Sequence, residues 1–491
     1  MRASWRRVRP STPQTSAERP RFRAPWQKTN LRLAAGLLRA SFVNGTGVLL
    51  LAAASLFRDT LILRTFGLGA RTDAFFLALL IPTVLASVLS STFSSALIPA
   101  YHRAVAEGGD GGGTATALSA VNLLICGVCC VALLLAGPGL AFLIGRNYPA
   151  DVRRQVSELL DVLASLVVFT PMAATWAASL QAQQRFFVAA CAPVLAPLLC
   201  ALALVAGGSL VGLRGAGIAL AAGVAVQAAL LAMAARRGGV RWPPLRLIAT
   251  VRKRVAASAT LVVALRQYPP LIVGSLLQSG LIVVPQLTAA WLNPGSVTVL
   301  SLGARMTTLG LAVIGAGIGV AVLPALSSLA ARRDWPRFVD RVRYYSVATL
   351  IVSVPAALGL FVLSGPIAWL LYGHGAATHA QIAQIAWVQG LYGLQMPAQI
   401  LGVVWVRGLT AMNENRRLVQ IAGVNLGLSV LCTVGLARVA GVTGLALAPT
   451  LVFIGACVQI FILLRISLAN RRRSEPAAII RPEPLATAEL A

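Results

Sequence analysis

Few ionisable groups in this chain stand where chemistry could be done, and their settings are unusual. Arg58 and Asp59 are neighbours inside an apolar stretch, and Arg64 follows six residues later. Arg305 sits in Leu300-Ser301-Leu302-Gly303-Ala304-Arg305-Met306, well inside another apolar stretch. An ionised side chain withdrawn from water is costly unless paired, so each position is a functional candidate. Arginine suits phosphate, because its planar guanidinium offers two parallel donors.

The partners are scarce. Between Asp161 and Asp334 there is no Asp or Glu. Arg305 has three options: backbone carbonyls, a distant carboxylate such as Asp59 or Asp161, or an anionic ligand. A cavity receiving Arg58 and Arg305 from different parts of the chain suits a phosphorylated or pyrophosphorylated substrate. Neighbouring helical residues project about 100° apart, so Arg58 and Asp59 are not expected to neutralise each other. Arg64 lies about 9 Å further along the helix, where snorkelling to the interface and a functional role both stand open. Arg266 stands at the end of an apolar stretch, which suits snorkelling. Asp73 follows Thr72 just before an apolar run, the place of a helix N-cap. Glu158 and Asp161 share a helix face and could meet water or carry a proton. His374, in Tyr372-Gly373-His374-Gly375, reads as a turn residue.

The elements that must hold these groups are membrane helices. Of 491 residues, 57% are hydrophobic and 11% charged, with a net charge of +28 and a mean hydropathy of +0.79. Soluble domains carry about 25% charged residues. Disorder and collagen-like repeats are excluded, and a soluble enzyme or a nucleic-acid binder is disfavoured, because the cations fall between long apolar runs. About 20 apolar residues cross a bilayer. Twelve spans meet that measure: 41–66, 74–101, 117–145, 156–180, 186–208, 212–235, 268–292, 297–328, 344–371, 381–406, 418–437 and 441–465. Several carry proline (Pro82, Pro193, Pro197, Pro285, Pro355, Pro397). The expected organisation is a basic tail (1–40), six helices (41–235), a basic linker (236–267), six more helices (268–465) and a second tail (466–491).

With twelve spans, 32 of the 42 cations fall on one face and six on the other. The positive-inside rule places both termini in the cytoplasm. The two sets of six spans repeat. Ala96-Leu97-Ile98-Pro99-Ala100 recurs as Ala321-Val322-Leu323-Pro324-Ala325, and Gly217-Ile218-Ala219-Leu220-Ala221 as Gly444-Leu445-Ala446-Leu447-Ala448. Arg185 and Cys200 recur as Arg417 and Cys432 at the same spacing. Such parallel repeats relate two lobes by an axis along the membrane normal, with the substrate between them. Leu245, Leu247, Ile248, Val251 and Val255 of the linker could form an amphipathic face beside Arg252, Lys253 and Arg254; a solvated basic loop is the alternative. Cys126, Cys129 and Cys130 resemble a CxxC but lack an electropositive setting, so neither a metal nor another cofactor is expected. The Arg- and Pro-rich first 30 residues lack the apolar core of a secretory signal.

Phe57-Arg58-Asp59, Arg64-Thr65-Phe66-Gly67 and Thr72-Asp73-Ala74-Phe75-Phe76 resemble the lipid II flippase family (MurJ, also called MviN) of the multidrug and oligosaccharidyl-lipid exporter superfamily. The resemblance continues through Pro82, Phe93-Ser94 and Pro99. It returns at Gly303-Ala304-Arg305, Leu323-Pro324, Leu371 to Gly375 and along 416–450. It implies an all-α polytopic membrane protein with two six-helix lobes around a central cavity. It also implies a flippase of the bacterial inner membrane for an undecaprenyl-pyrophosphate-linked cell-wall precursor. Arg58, Arg64, Asp73 and Arg305 match functional family positions, and Asp59 completes the expected substrate-binding set. This chain departs from the family at Ala52, where an Arg is usual, at Thr308, where an acid is usual, and across Thr83 to Ile98, which carries no charge. The alternatives are a flippase for an exopolysaccharide or O-antigen repeat-unit lipid, a multidrug exporter, or a non-transporting scaffold. A glycosyltransferase would need acidic clusters in sizeable outer loops, which are missing. The expected partners are the lipid-linked glycan, the bilayer and cell-wall or polysaccharide synthesis proteins.

Overall fold

The computed structural model describes residues 26–240, 259–412 and 414–474, excepting the side chains of 26–42, 259, 316–321, 415–416 and 472–474. The described residues are helical, with no strand. In chain order the helices are α1 (Trp26–Phe66), α2 (Ala70–Ala106), α3 (Gly111–Ile144), α4 (Ala150–Leu163), α5 (Leu166–Ala182), α6 (Phe186–Cys191), α7 (Leu195–Gly207) and α8 (Gly212–Arg236). After 258 come α9 (Ala259–Arg266), α10 (Tyr268–Ala289), α11 (Ser296–Ala331), α12 (Trp335–Val362), α13 (Ser364–Tyr372), α14 (His379–Gly393), α15 (Met396–Ala411) and α16 (Asn415–Ser474). Helices suit such apolar sequence because each satisfies its own backbone groups, as lipid requires.

Nine stretches among the described residues are long and apolar enough to cross a membrane. Two of them, Phe186–Arg236 and Arg417–Arg471, run to 51 and 55 residues. Each turns at a glycine with positive φ, Gly212 (63°) and Gly441 (56°), a conformation that side chains resist. Gly212 stands five residues ahead of Gly217-Ile218-Ala219-Leu220-Ala221, and Gly441 three ahead of Gly444-Leu445-Ala446-Leu447-Ala448. Other expected spans are broken. Proline deprives the carbonyl four residues earlier of its donor. Pro366 and Pro397 do so at Val362 and Gly393, where α12 and α14 end. The first helix begins at Trp26, well before the expected span. The amphipathic face expected at 245–255 and the tails at 1–25 and 475–491 lie outside the described residues.

Buried side chains divide the bundle by depth. At the end where α1 stops and α2 begins, one cluster joins Ile62, Leu63, Phe75 and Phe76 with Leu300, Leu302, Tyr372, Ile385 and Val388. Chain from before and after the linker thus shares a core there. At the opposite end, two clusters remain separate. One holds Leu97, Leu118, Leu180 and Leu231; the other holds Leu326, Trp335, Phe338, Leu409 and Ile460. Helix α10 spans the difference. Its first residue, Tyr268, packs on Phe93 of α2 and donates to Asn122 Oδ1 of α3 at 2.7 Å. Near its other end Gln286 bonds Ser301 of α11 at 3.2 Å.

Candidate functional site

Helix α1 carries Arg58 and Asp59 into the interior, and contrary to expectation they do pair. Arg58 Nε and Nη2 donate to Asp59 Oδ1 at 2.9 and 2.6 Å. Backbone directions separate the two residues, but the three-carbon stem of arginine is long enough to curl its head over the adjacent carboxylate. Arg305 of α11 reaches the other oxygen of the same carboxylate, with Nε 2.5 Å from Oδ2. Of the three partners open to Arg305, the structure therefore selects Asp59.

The three groups differ in exposure. The Asp59 side chain is fully buried and Arg58 nearly so, while Arg305 keeps 29% of its side chain exposed. Two guanidinium groups share one carboxylate, so the cluster carries a surplus positive charge. Removing charge from water is costly, and the surplus resides where relief is available, on Arg305. That residue lines a cavity of about 940 Å³. Close packing aims it: Gly303 approaches Val388 and Gln389 of α14 so nearly that a Cβ would lie 2.6 Å from Val388 Cγ1.

The cavity lies between α2, α10, α11, the α14–α15 break and α16. Its polar surface is hydroxyl and amide, including Thr83, Ser87 and Ser91 of α2, Gln278 and Gln286 of α10, and Gln399 of α15. Gln395, in the break before Pro397, also lines it. Arg305 is the one charged side chain among the described residues that line it. A smaller hollow of about 500 Å³ shares the α2 hydroxyls and continues to Ser90, Ser94 and Thr170.

Asp73 serves elsewhere than expected. Its own helix is capped by Gly69 without a side-chain bond. The fully buried Asp73 carboxylate instead accepts from the N–H of Gly295 (2.6 Å), the N–H and hydroxyl of Thr298 (2.8 and 2.6 Å) and the hydroxyl of Tyr148 (2.8 Å). Burial, then the Asp73 charge, push the Tyr148 phenol up, so it stays a donor. An anion at the start of α11 also meets the positive end of that helix dipole. Thr298 and Arg305 are seven residues apart, two turns and about 10 Å along one face. Thus α11 is held twice, by Asp73 at its tip and by Asp59 further in.

Arg64 is not brought to the cavity. Its side chain is exposed, and its carbonyl accepts from Ala376 N–H at 3.2 Å. Glu158 pairs with Arg154 at 3.0 Å on the surface, and Asp161 is exposed. His374 rests against Trp369, ring centroids 5.3 Å apart, in its turn. The cysteines are free, and Cys130 contacts the Ala164 carbonyl. Two buried groups escaped notice: the Gln389 amide and the Tyr372 hydroxyl have no hydrogen-bond partner in the described structure. Gln389 is a lone amide between Ile385 and Leu391; nothing local marks it as different from a packing residue.

Residues 62–479 match the profile of the family described as lipid II flippase MurJ. The chain belongs to the MurJ family. Asp73, Arg64 and Arg305 lie inside the matched stretch, and Arg58 and Asp59 just before it. A probable lipid II flippase MurJ of Rhizobium meliloti is 26% identical over 340 residues, covering 65% of this chain and 60% of that protein. One from Thermotoga maritima is 31% identical over 94 residues, 19% of either chain. The matches thus span less than two thirds of these MurJ relatives. Among solved structures, a lipid II flippase MurJ in an inward closed conformation aligns with a TM-score of 0.71 at 17% identity, over 86% of this chain and 87% of that one. An inward-facing multidrug resistance transporter of the MATE family aligns at 0.70 and 14% identity, over 89% and 100%. The MurJ fold is therefore shared with transporters of other cargo, and membership makes this chain a transporter-family protein rather than a member of an enzyme family.

Proposed function

We propose that the protein moves a polyprenyl-pyrophosphate-linked glycan, a lipid II-like precursor of peptidoglycan, across the bacterial cytoplasmic membrane by alternating access. The observation that carries this reading is Arg305: a guanidinium in surplus over its carboxylate, facing an otherwise uncharged cavity. A bound pyrophosphate competes with Asp59 for that guanidinium, since charge-assisted bonds to phosphate are strong and bidentate. Arg58 keeps Asp59 paired meanwhile, so no anion is stranded. Winning Arg305 from Asp59 loosens one of two ties between α1–α2 and α11, which couples substrate binding to opening at the Asp73 end. Twelve passes in two lobes, 41–235 and 268–465, suit this mechanism, as do both termini in the cytoplasm. Arg58 acts through Asp59, Asp73 through the tip of α11, and Arg64 from the outer mouth.

A cationic-drug exporter is less well supported, because it wants a carboxylate open to the cavity, and Asp59 is buried between two arginines. The test is translocation of a fluorescent polyprenyl-pyrophosphate glycan in reconstituted vesicles. Arg305→Ala is expected to slow it by about tenfold or more, the worth of a charged hydrogen bond, with Arg305→Lys between. An Arg305→Ala protein that transports at the parental rate rejects the reading. Rescue of a flippase-depleted strain separates a transporter from a scaffold.

A further inference from the structure

We infer that Gln278 and Gln395 grip the first sugar of the head group while Arg305 holds its pyrophosphate, and that Gln399 meets the second sugar. This rests on the flippase reading above and assigns the residues that read its glycan.

Two helix registers set the depth of these amides. Gly303 abuts Val388, and a Cβ on Gly310 would lie 2.6 Å from Met396 Cε. Helix α11 therefore runs parallel to α14 and α15. Along that register Gln395 stands about 7 Å beyond Arg305 towards the Arg103 end, and Gln399 about 13 Å beyond it. Helix α10 runs the opposite way and is pinned at Gln286, which bonds Ser301. Gln278 lies eight residues before Gln286, and Arg305 four after Ser301, so Gln278 stands about 6 Å beyond Arg305 in the same direction. Two amides from different walls thus share one depth, just past the guanidinium that would hold the pyrophosphate.

Their hydrogen bonding sets them apart from other polar groups of the wall. Thr83, Ser87, Ser91 and Thr308 donate to carbonyls of their own helices, and Gln286 is engaged with Ser301. The side chains of Gln278, Gln395 and Gln399 bond no described residue, yet all three line the cavity. Gln395 is only 6% exposed, so the cavity is where its amide finds a partner. The Thr307 hydroxyl, two residues past Arg305 on the same wall, is buried and also unpartnered. Withdrawn polar groups cost free energy until something bonds them. An amide offers two donors and an acceptor, which suits the adjacent hydroxyl and acetamido groups of a sugar.

Three polyprenyl pyrophosphates test this by equilibrium binding to the full chain in lipid nanodiscs: one without sugar, one bearing a single sugar and one bearing a disaccharide. Methionine keeps the length of glutamine without its amide. Gln278→Met and Gln395→Met are each expected to weaken both glycan lipids by about fivefold, the worth of one neutral hydrogen bond, and to leave the bare lipid as it was. Gln399→Met is expected to weaken the disaccharide lipid alone. Because these amides bond no described protein group, thermal unfolding without lipid should not move. Equal losses on all three lipids, with or without a fall in unfolding temperature, or an unchanged affinity for the disaccharide lipid, overturn the inference and leave the flippase reading standing. Arg305→Ala should weaken all three lipids. If it weakens none, or if none of the three binds the parent protein, the flippase reading falls and the inference with it.

Discussion

The two ends of the bundle are built differently. At the Asp73 end the halves of the chain share one apolar core, and buried carboxylates cross the seam. Asp59 joins α1 to α11 through Arg305, and Asp73 joins α2 to the tip of α11. At the Arg103 end the described side chains form two cores. The crossings there run through α9 and α10: Thr260 donates to the Glu107 carboxylate at 3.0 Å, Tyr268 to Asn122, and Ser91 bonds Ser275 at 2.9 Å. Charge-assisted bonds in a dry core are strong and cooperate with apolar packing, whereas single neutral bonds contribute about 1 kcal/mol. The closed end is therefore held by a few groups whose loss matters, and the other is divided by construction. The cavity lies between, and Arg305 belongs to both the seam and the cavity.

Substitutions can break this contrast. Asp59→Ala has the largest expected effect: it strands two guanidinium groups beside each other, and losing one partner of a buried ion pair costs about 3–5 kcal/mol. Thermal unfolding of the purified protein should move down by many degrees, and the yield of folded protein should fall. Asp73→Ala comes next. It removes four accepted bonds, and hydrogen exchange at Gly295 to Val299 should accelerate by about tenfold to a hundredfold, an opening cheaper by about 1.5–3 kcal/mol. Exchange near Phe338 and Leu409 should stay as it was. Tyr268→Phe is milder. It costs about 1 kcal/mol and should accelerate exchange in the first turns of α10 without disturbing the Asp73 end. Arg64→Ala is expected to change translocation least, by about twofold or less, because exposed charges off the cavity contribute little.

Much of this was legible in the sequence, for physical reasons. Apolar runs of membrane length fix helices, and the missing carboxylates from 162 to 333 singled out Arg305. Spacing, however, describes only neighbours along a helix. It could not reveal that Arg58 curls over Asp59, since that depends on side-chain reach rather than backbone direction. Nor could it reveal Asp73 as the cap of a helix more than two hundred residues away, because local pattern suggests only its own helix. The glutamines of the cavity wall were invisible for another reason: an uncharged amide in an apolar span looks the same whether it faces lipid, a neighbour or a ligand.

In the proposed transport cycle the Asp73 end is a closed gate and the Arg103 end its counterpart. Spin labels at exposed positions, Arg71 with Asn293 at one end and Arg103 with Ser328 at the other, measure it directly in vesicles. On adding a polyprenyl-pyrophosphate glycan, the first distance should lengthen in part of the population while the second shortens. If the first distance holds during measured turnover, or the two change in the same sense, the proposed cycle is contradicted.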